Sequence, residues 1–80
     1  MERKMIKELD PVVLATDVPE HGLKAGDIGT VVLIHGAKKG YEIEFTALDG
    51  ETIVVATLSA EKIRPVRHRE IPHAREIARV

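Results

Sequence analysis

Gly22-Leu23-Lys24-Ala25-Gly26-Asp27-Ile28-Gly29-Thr30-Val31-Val32 is the stretch whose reading decides the fold. Its three glycines stand at spacings of four and three, directly before a β-branched run, with Pro19 just upstream. A phosphate-cradling loop would carry Gly-Lys-Ser or Gly-Lys-Thr at the opening of a helix. Here neither Lys-Ser nor Lys-Thr follows the last glycine, and a strand pattern follows instead. The stretch therefore reads as a turn that feeds a strand. Gly26 suits a positive φ, which costs nothing without a Cβ. Gly29, inside the strand pattern Ile28–Ile34, marks a bulge or a close backbone approach. Gly22, Gly26 and Gly29 are thus expected to shape turns and to bend the strand.

Upstream, Pro11 blocks helix continuation and suits the first residue of a strand, so Val12–Thr16 is read as strand one. Asp17-Val18-Pro19-Glu20-His21-Gly22 is rich in turn formers, and Leu23 is expected to fold back as an apolar plug. Met1–Leu9 is charged and helix-permissive but too short for an isolated helix, and Ile6 and Leu9 can dock on a sheet. Downstream, Gly36-Ala37-Lys38-Lys39-Gly40 reads as a hairpin loop. Tyr41-Glu42-Ile43-Glu44-Phe45 alternates strictly, as a half-buried strand does. Asp49-Gly50 is a hairpin signal, and Glu51–Leu58 is the β-branched return strand. Ser59 is placed to cap a single 3-10 turn, and Ile63-Arg64-Pro65-Val66 is a short edge strand because Pro65 lacks an N–H.

Five short strands, a long first connection, two hairpins and a 3-10 turn before the last strand predict an all-β fold, a small five-stranded SH3-like barrel over residues 1–66. Strands two and four are apolar on both faces, Val31–Ile34 and Ile53–Ala56, where a small isolated barrel alternates. Either the terminal segments or a partner must then cover an outer face. Residues 67–80 lose the alternation. They are read as a C-terminal arm, flexible or partner-bound, with two helical turns available after Pro72.

The chain has 80 residues, one domain at most, with 12 basic and 13 acidic side chains. Arg67, Arg69, Arg75 and Arg79 stand against Glu70 and Glu76 in the arm, so the remainder carries eight basic and eleven acidic residues. An acidic body disfavours a phosphate backbone, and one Tyr and one Phe offer little to stack bases on. Nor do two aromatics build a cage or groove for methyl-lysine or proline-rich peptides. There is no Cys and a single Ser, and no nucleophile stands beside a base. No catalytic, cofactor or metal residues are assigned: His68 and His73 are wrongly spaced for one helical face, and Asp17, Glu20 and His21 are better read as a solvated loop. No apolar segment follows Met1–Ile6, and the longest apolar runs are far too short to span a membrane. The expectation is a cytoplasmic protein.

Asp10–Leu14, Asp17–Val32, Tyr41–Phe45, Leu58 and Ile63–Val66 together resemble a family of small bacterial proteins catalogued as a domain of unknown function. The likeness covers about residues 7–66. More remotely, Gly26–Val31 is similar to turns in KOW modules and in nitrile hydratase β-type subunits. The resemblance implies an SH3-like barrel and no catalytic residues. Genes of this kind often lie beside a small partner gene, in an arrangement like toxin–antitoxin pairs. The resulting expectation is a non-catalytic protein-interaction module, antitoxin-like or accessory to a second gene product, or self-associating. Arg67, Arg69, Ile71, Arg75, Ile77 and Val80 are its candidate partner-binding residues; Gly22, Gly26, Gly29, Asp49 and Gly50 are structural. The alternative is a KOW-like nucleic-acid or ribosome-associated module, with Lys38, Lys39 and the arm arginines on phosphate.

Overall fold

Runs of β-branched and aromatic residues, each bounded by Gly, Pro or Asp, become the strands of a single sheet. The computed structural model describes residues 5–36 and 40–78. The strands are β1 (Pro11–Leu14), β2 (Ile28–Ile34), β3 (Tyr41–Thr46), β4 (Thr52–Leu58) and β5 (Ile63–Pro65). Every neighbouring pair is antiparallel, in the order β4-β3-β2-β1-β5. The long first connection, the two hairpins and the 3-10 turn at Ala60–Lys62 lie where the sequence puts them. The sheet is open, however: β4 and β5 are its two edges and form no ladder that would close a barrel. One reason is length. β5 has three residues and ends at Pro65, which has no N–H to donate.

The inner face carries the core. Val12, Leu14, Val31, Ile43, Phe45, Ala56 and Leu58 alternate along their strands and meet Val18, Leu23, Tyr41 and Ile63. Leu23 is the expected plug, returned by backbone pairing of Val18 with Leu23. Every buried side chain among the described residues is apolar, so the core demands no polar satisfaction.

Gly29 explains how two strands come so close. A Cβ at this position would lie 2.5 Å from Ile43 Cγ2 and 2.9 Å from Phe45 Cε1. The missing side chain lets two β3 residues pack directly on the β2 backbone. The close approach is as expected, but the bulge is elsewhere, in the register shift between Val31 and Leu33. Gly22, Gly26 and Gly50 take left-handed φ values of 70°, 96° and 98°, and Asp49 accepts the Glu51 N–H at 3.1 Å beside the last of these.

Two local expectations fail, and the helical turns available after Pro72 are not formed. Residues 73–78 form no helix; they run without regular structure, because Arg75 and Ile77 bond and pack to the body. Ser59 occupies the cap position of Ala60–Lys62 but makes no side-chain cap bond. Ala15 and Thr16 fall outside β1, although the Ala15 N–H still donates to the Lys62 carbonyl at 2.8 Å.

Candidate protein-interaction surface

The arm does not hang free. Arg64, at the sheet edge, grips Glu70 through Nη1 to Oε1 at 3.0 Å and Nη2 to Oε2 at 2.7 Å. The Arg67 N–H also donates to Glu70 Oε1, at 2.6 Å. These bonds close a loop over residues 64–70 in which Arg69 takes a left-handed φ of 64°. The Arg64 hydrogen bonds, then the Arg67 N–H, hold the Glu70 carboxyl down at about 2 against an ordinary 4.5.

A second clamp holds the next part of the arm. Arg75 Nε donates to Asp27 Oδ1 at 2.9 Å and Nη2 to Oδ2 at 2.5 Å, in the planar fork that guanidinium and carboxylate share. Nη2 also reaches the Gly22 carbonyl at 3.1 Å. Two residues on, Ile77 packs against the core, 3.7 Å from where a Cβ on Gly22 would stand. Asp27 is already oriented before the arm arrives. Its Oδ2 accepts the Lys24 N–H at 2.8 Å, and its own N–H donates to the Lys24 carbonyl at 2.9 Å. Partial burial raises the Asp27 pKa, but the Arg75 and Lys24 bonds and charges outweigh it and leave a net lowering.

These shifts have a pH consequence. Both carboxyls have depressed values in the folded arm, so their contribution is fully present above their ordinary range. It is lost as pH falls through the folded values. We expect the Arg64–Glu70 clamp to open as pH falls from about 4.5 toward about 2, with the sheet outlasting it. The Nη–H resonances of Arg64 should shift to free-arginine positions over that range, and the Nε–H resonance of Arg75 should follow the protonation of Asp27. Glu70→Gln should remove the Arg64 part of the transition and leave the Arg75 part.

The six residues expected to face a partner divide accordingly. Arg75 and Ile77 contact the chain's own body. Arg67, Arg69 and Ile71 are exposed, Ile71 at 85%. Val80 lies outside the described residues, as do Lys38 and Lys39. Asp27, Arg64 and Glu70 escaped the sequence reading. The only available signal was an Arg and a Glu flanking the composition break at residue 66 and an Asp within the glycine-rich turn.

The outer face keeps its apolar residues in water. The N-terminal segment covers part of β2, with the Leu9 N–H on the Val31 carbonyl at 2.7 Å. Ile28, Val32, Leu33 and Val55 nevertheless stay exposed at 39–49%. β4 adds a second feature. It is an edge strand of seven residues, Thr52-Ile53-Val54-Val55-Ala56-Thr57-Leu58, with neither charge nor proline. Among the described residues its one strand neighbour is β3. Edge strands are ordinarily blunted by Lys, Pro or a short length, and β4 has none of these.

Polar residues of the loops serve the turns. Asp17 Oδ1 accepts the Ala25 N–H at 2.9 Å, and Glu42 lies 3.1 Å from His35. Among the described residues no three His, Asp or Glu side chains gather as a metal-ligand group, and no helix is long and apolar enough to cross a membrane.

No curated protein and no solved structure matches the chain. One family model does, over residues 8–65, which runs from the N-terminal segment to the end of β5 and leaves the arm outside. The chain therefore belongs to the family described as Domain of unknown function (DUF4926).

Proposed function

We propose that this domain is a non-catalytic protein-interaction module that takes a strand of its partner along the free edge of β4. The observation that carries the reading is the edge itself, seven uncharged residues with one side unpaired in an open sheet. Strand addition supplies main-chain hydrogen bonds, and alternate side chains supply selectivity. On the outer face, Val55 lies across β3 from Thr30, in a row through Glu44, and Thr57 lies across from Leu33 through Glu42. A partner strand would continue these rows.

The resemblance to small proteins encoded in gene pairs supports an antitoxin-like or accessory role in the cytoplasm, and the strand order supports placing the sheet with SH3-like barrels. Nucleic-acid binding is the weaker reading, because Tyr41 and Phe45 are both buried and offer no ring to a base.

Co-expression with the product of the adjacent gene tests the proposal. The two should co-purify at micromolar concentration. Val55→Lys, at a half-exposed position, should lower affinity about a hundredfold by placing a charge on the edge strand. It should change stability by no more than about 0.5 kcal/mol. Two proteins that run separately would rule the proposal out.

A further inference from the structure

The seat occupied by Arg75 and Ile77 has the character of a peptide-recognition site. It is built without help from the arm: Asp17 holds the Ala25 N–H, Asp27 holds the Lys24 N–H, and Val18 pairs with Leu23. What results is a carboxylate with a fixed direction, a carbonyl oxygen beside it at Gly22, and an apolar spot where Gly22 carries no side chain. The arm brings side-chain contacts to this seat and no backbone ladder. Arg75 and Ile77, two residues apart, both reach the seat, while Glu76 between them is exposed. The seat also lies within the part of the chain that matches the family, and the arm lies beyond it.

We propose that this seat recognises an extended peptide segment carrying Arg and, two positions later, an aliphatic residue. The chain's own arm fills it in cis as a stand-in. The chemistry sets the selectivity. Asp27 presents both carboxylate oxygens to one guanidinium, so a Lys in place of the Arg loses the paired bonds. A partner segment must displace the arm, whose tether gives it a high effective concentration. The cis contact therefore lowers the apparent affinity for any segment in trans. This proposal rests on Gly22 and Asp27 and on none of the β4 residues.

The test uses the full-length chain and a fluorescein-labelled decapeptide with the sequence of residues 71–80, followed by polarisation. Arg75→Ala with Ile77→Ala empties the seat, and circular dichroism checks that the sheet persists. The emptied chain should bind the decapeptide at least about tenfold more tightly than the unmodified chain does. Of the peptide's two arginines, replacing the one at position 75 by Lys, or replacing the Ile at position 77 by Gly, should each weaken binding about tenfold or more. These peptide changes cannot unfold the protein. Adding Asp27→Arg to the emptied chain should abolish binding. Equal affinity for the emptied and unmodified chains overturns the proposal. So does indifference to the peptide's Arg at position 75, or no binding up to about 1 mM.

Discussion

Gly29→Val should leave the domain unfolded at room temperature. Even the single carbon of Gly29→Ala meets Ile43 Cγ2 at 2.5 Å and the Phe45 ring at 2.9 and 3.0 Å. Neither neighbour can retreat. Ile43 is wholly buried, its Cγ2 is fixed to a branched Cβ, and Phe45 is 3% exposed. Overpacking of this kind costs about 1–3 kcal/mol per added methyl. A domain of this size has only about 5 kcal/mol or so to lose. Gly29→Ala should thus be folded but markedly weaker in urea, and Gly29→Val should show no cooperative transition. The backbone at Gly29 is ordinary β, and its φ is not left-handed. A stability loss at this position therefore reports close packing and not lost turn freedom.

Ile43→Ala is the second large effect. Ile43 is opposite Val31 on β2 and Ala56 on β4, so it is the middle of the inner face. Truncation removes three carbons from a site with no exposure, at an expected cost of about 3–4 kcal/mol. The two substitutions should not add. Ile43→Ala removes the Cγ2 that a Gly29→Ala methyl strikes, so each change makes room for the other. A double-mutant cycle by urea unfolding should show the pair less destabilised than the sum, by about 1 kcal/mol or more. Strict additivity would mean that β2 and β3 separate to accept the methyl, contrary to the close approach described.

Much of the sheet was legible because its signals are local. Asp49-Gly50 between β-branched runs announces the β3–β4 hairpin. The alternation of Tyr41, Ile43 and Phe45 announces the inward face. The glycine-rich turn announces its left-handed position at Gly26 and the close approach at Gly29, while Gly22 reads only as a turn residue. What was not legible is set by distance along the chain. Whether β4 meets β5 depends on how far the sheet curls, and no pair of neighbouring residues encodes that. The clamp between Asp27 and Arg75 joins residues 48 apart. Nothing in the charge pattern distinguishes Arg75, which binds the body, from Arg67 and Arg69, which face water. The arm therefore reads from sequence as flexible or partner-bound, although two of its side chains contact the chain itself. The uncharged character of Thr52–Leu58 was plain in the sequence. Its position at an open edge was not.

Amide hydrogen exchange on the complex with the co-expressed partner tests the β4 edge most directly. In the free protein, the β4 N–H groups directed away from β3 should exchange quickly, and those bonded to β3 slowly. On complex formation the fast set within Thr52–Leu58 should become protected, with Val55→Lys abolishing the change. Protection that appears elsewhere while these amides continue to exchange freely would contradict strand addition at β4.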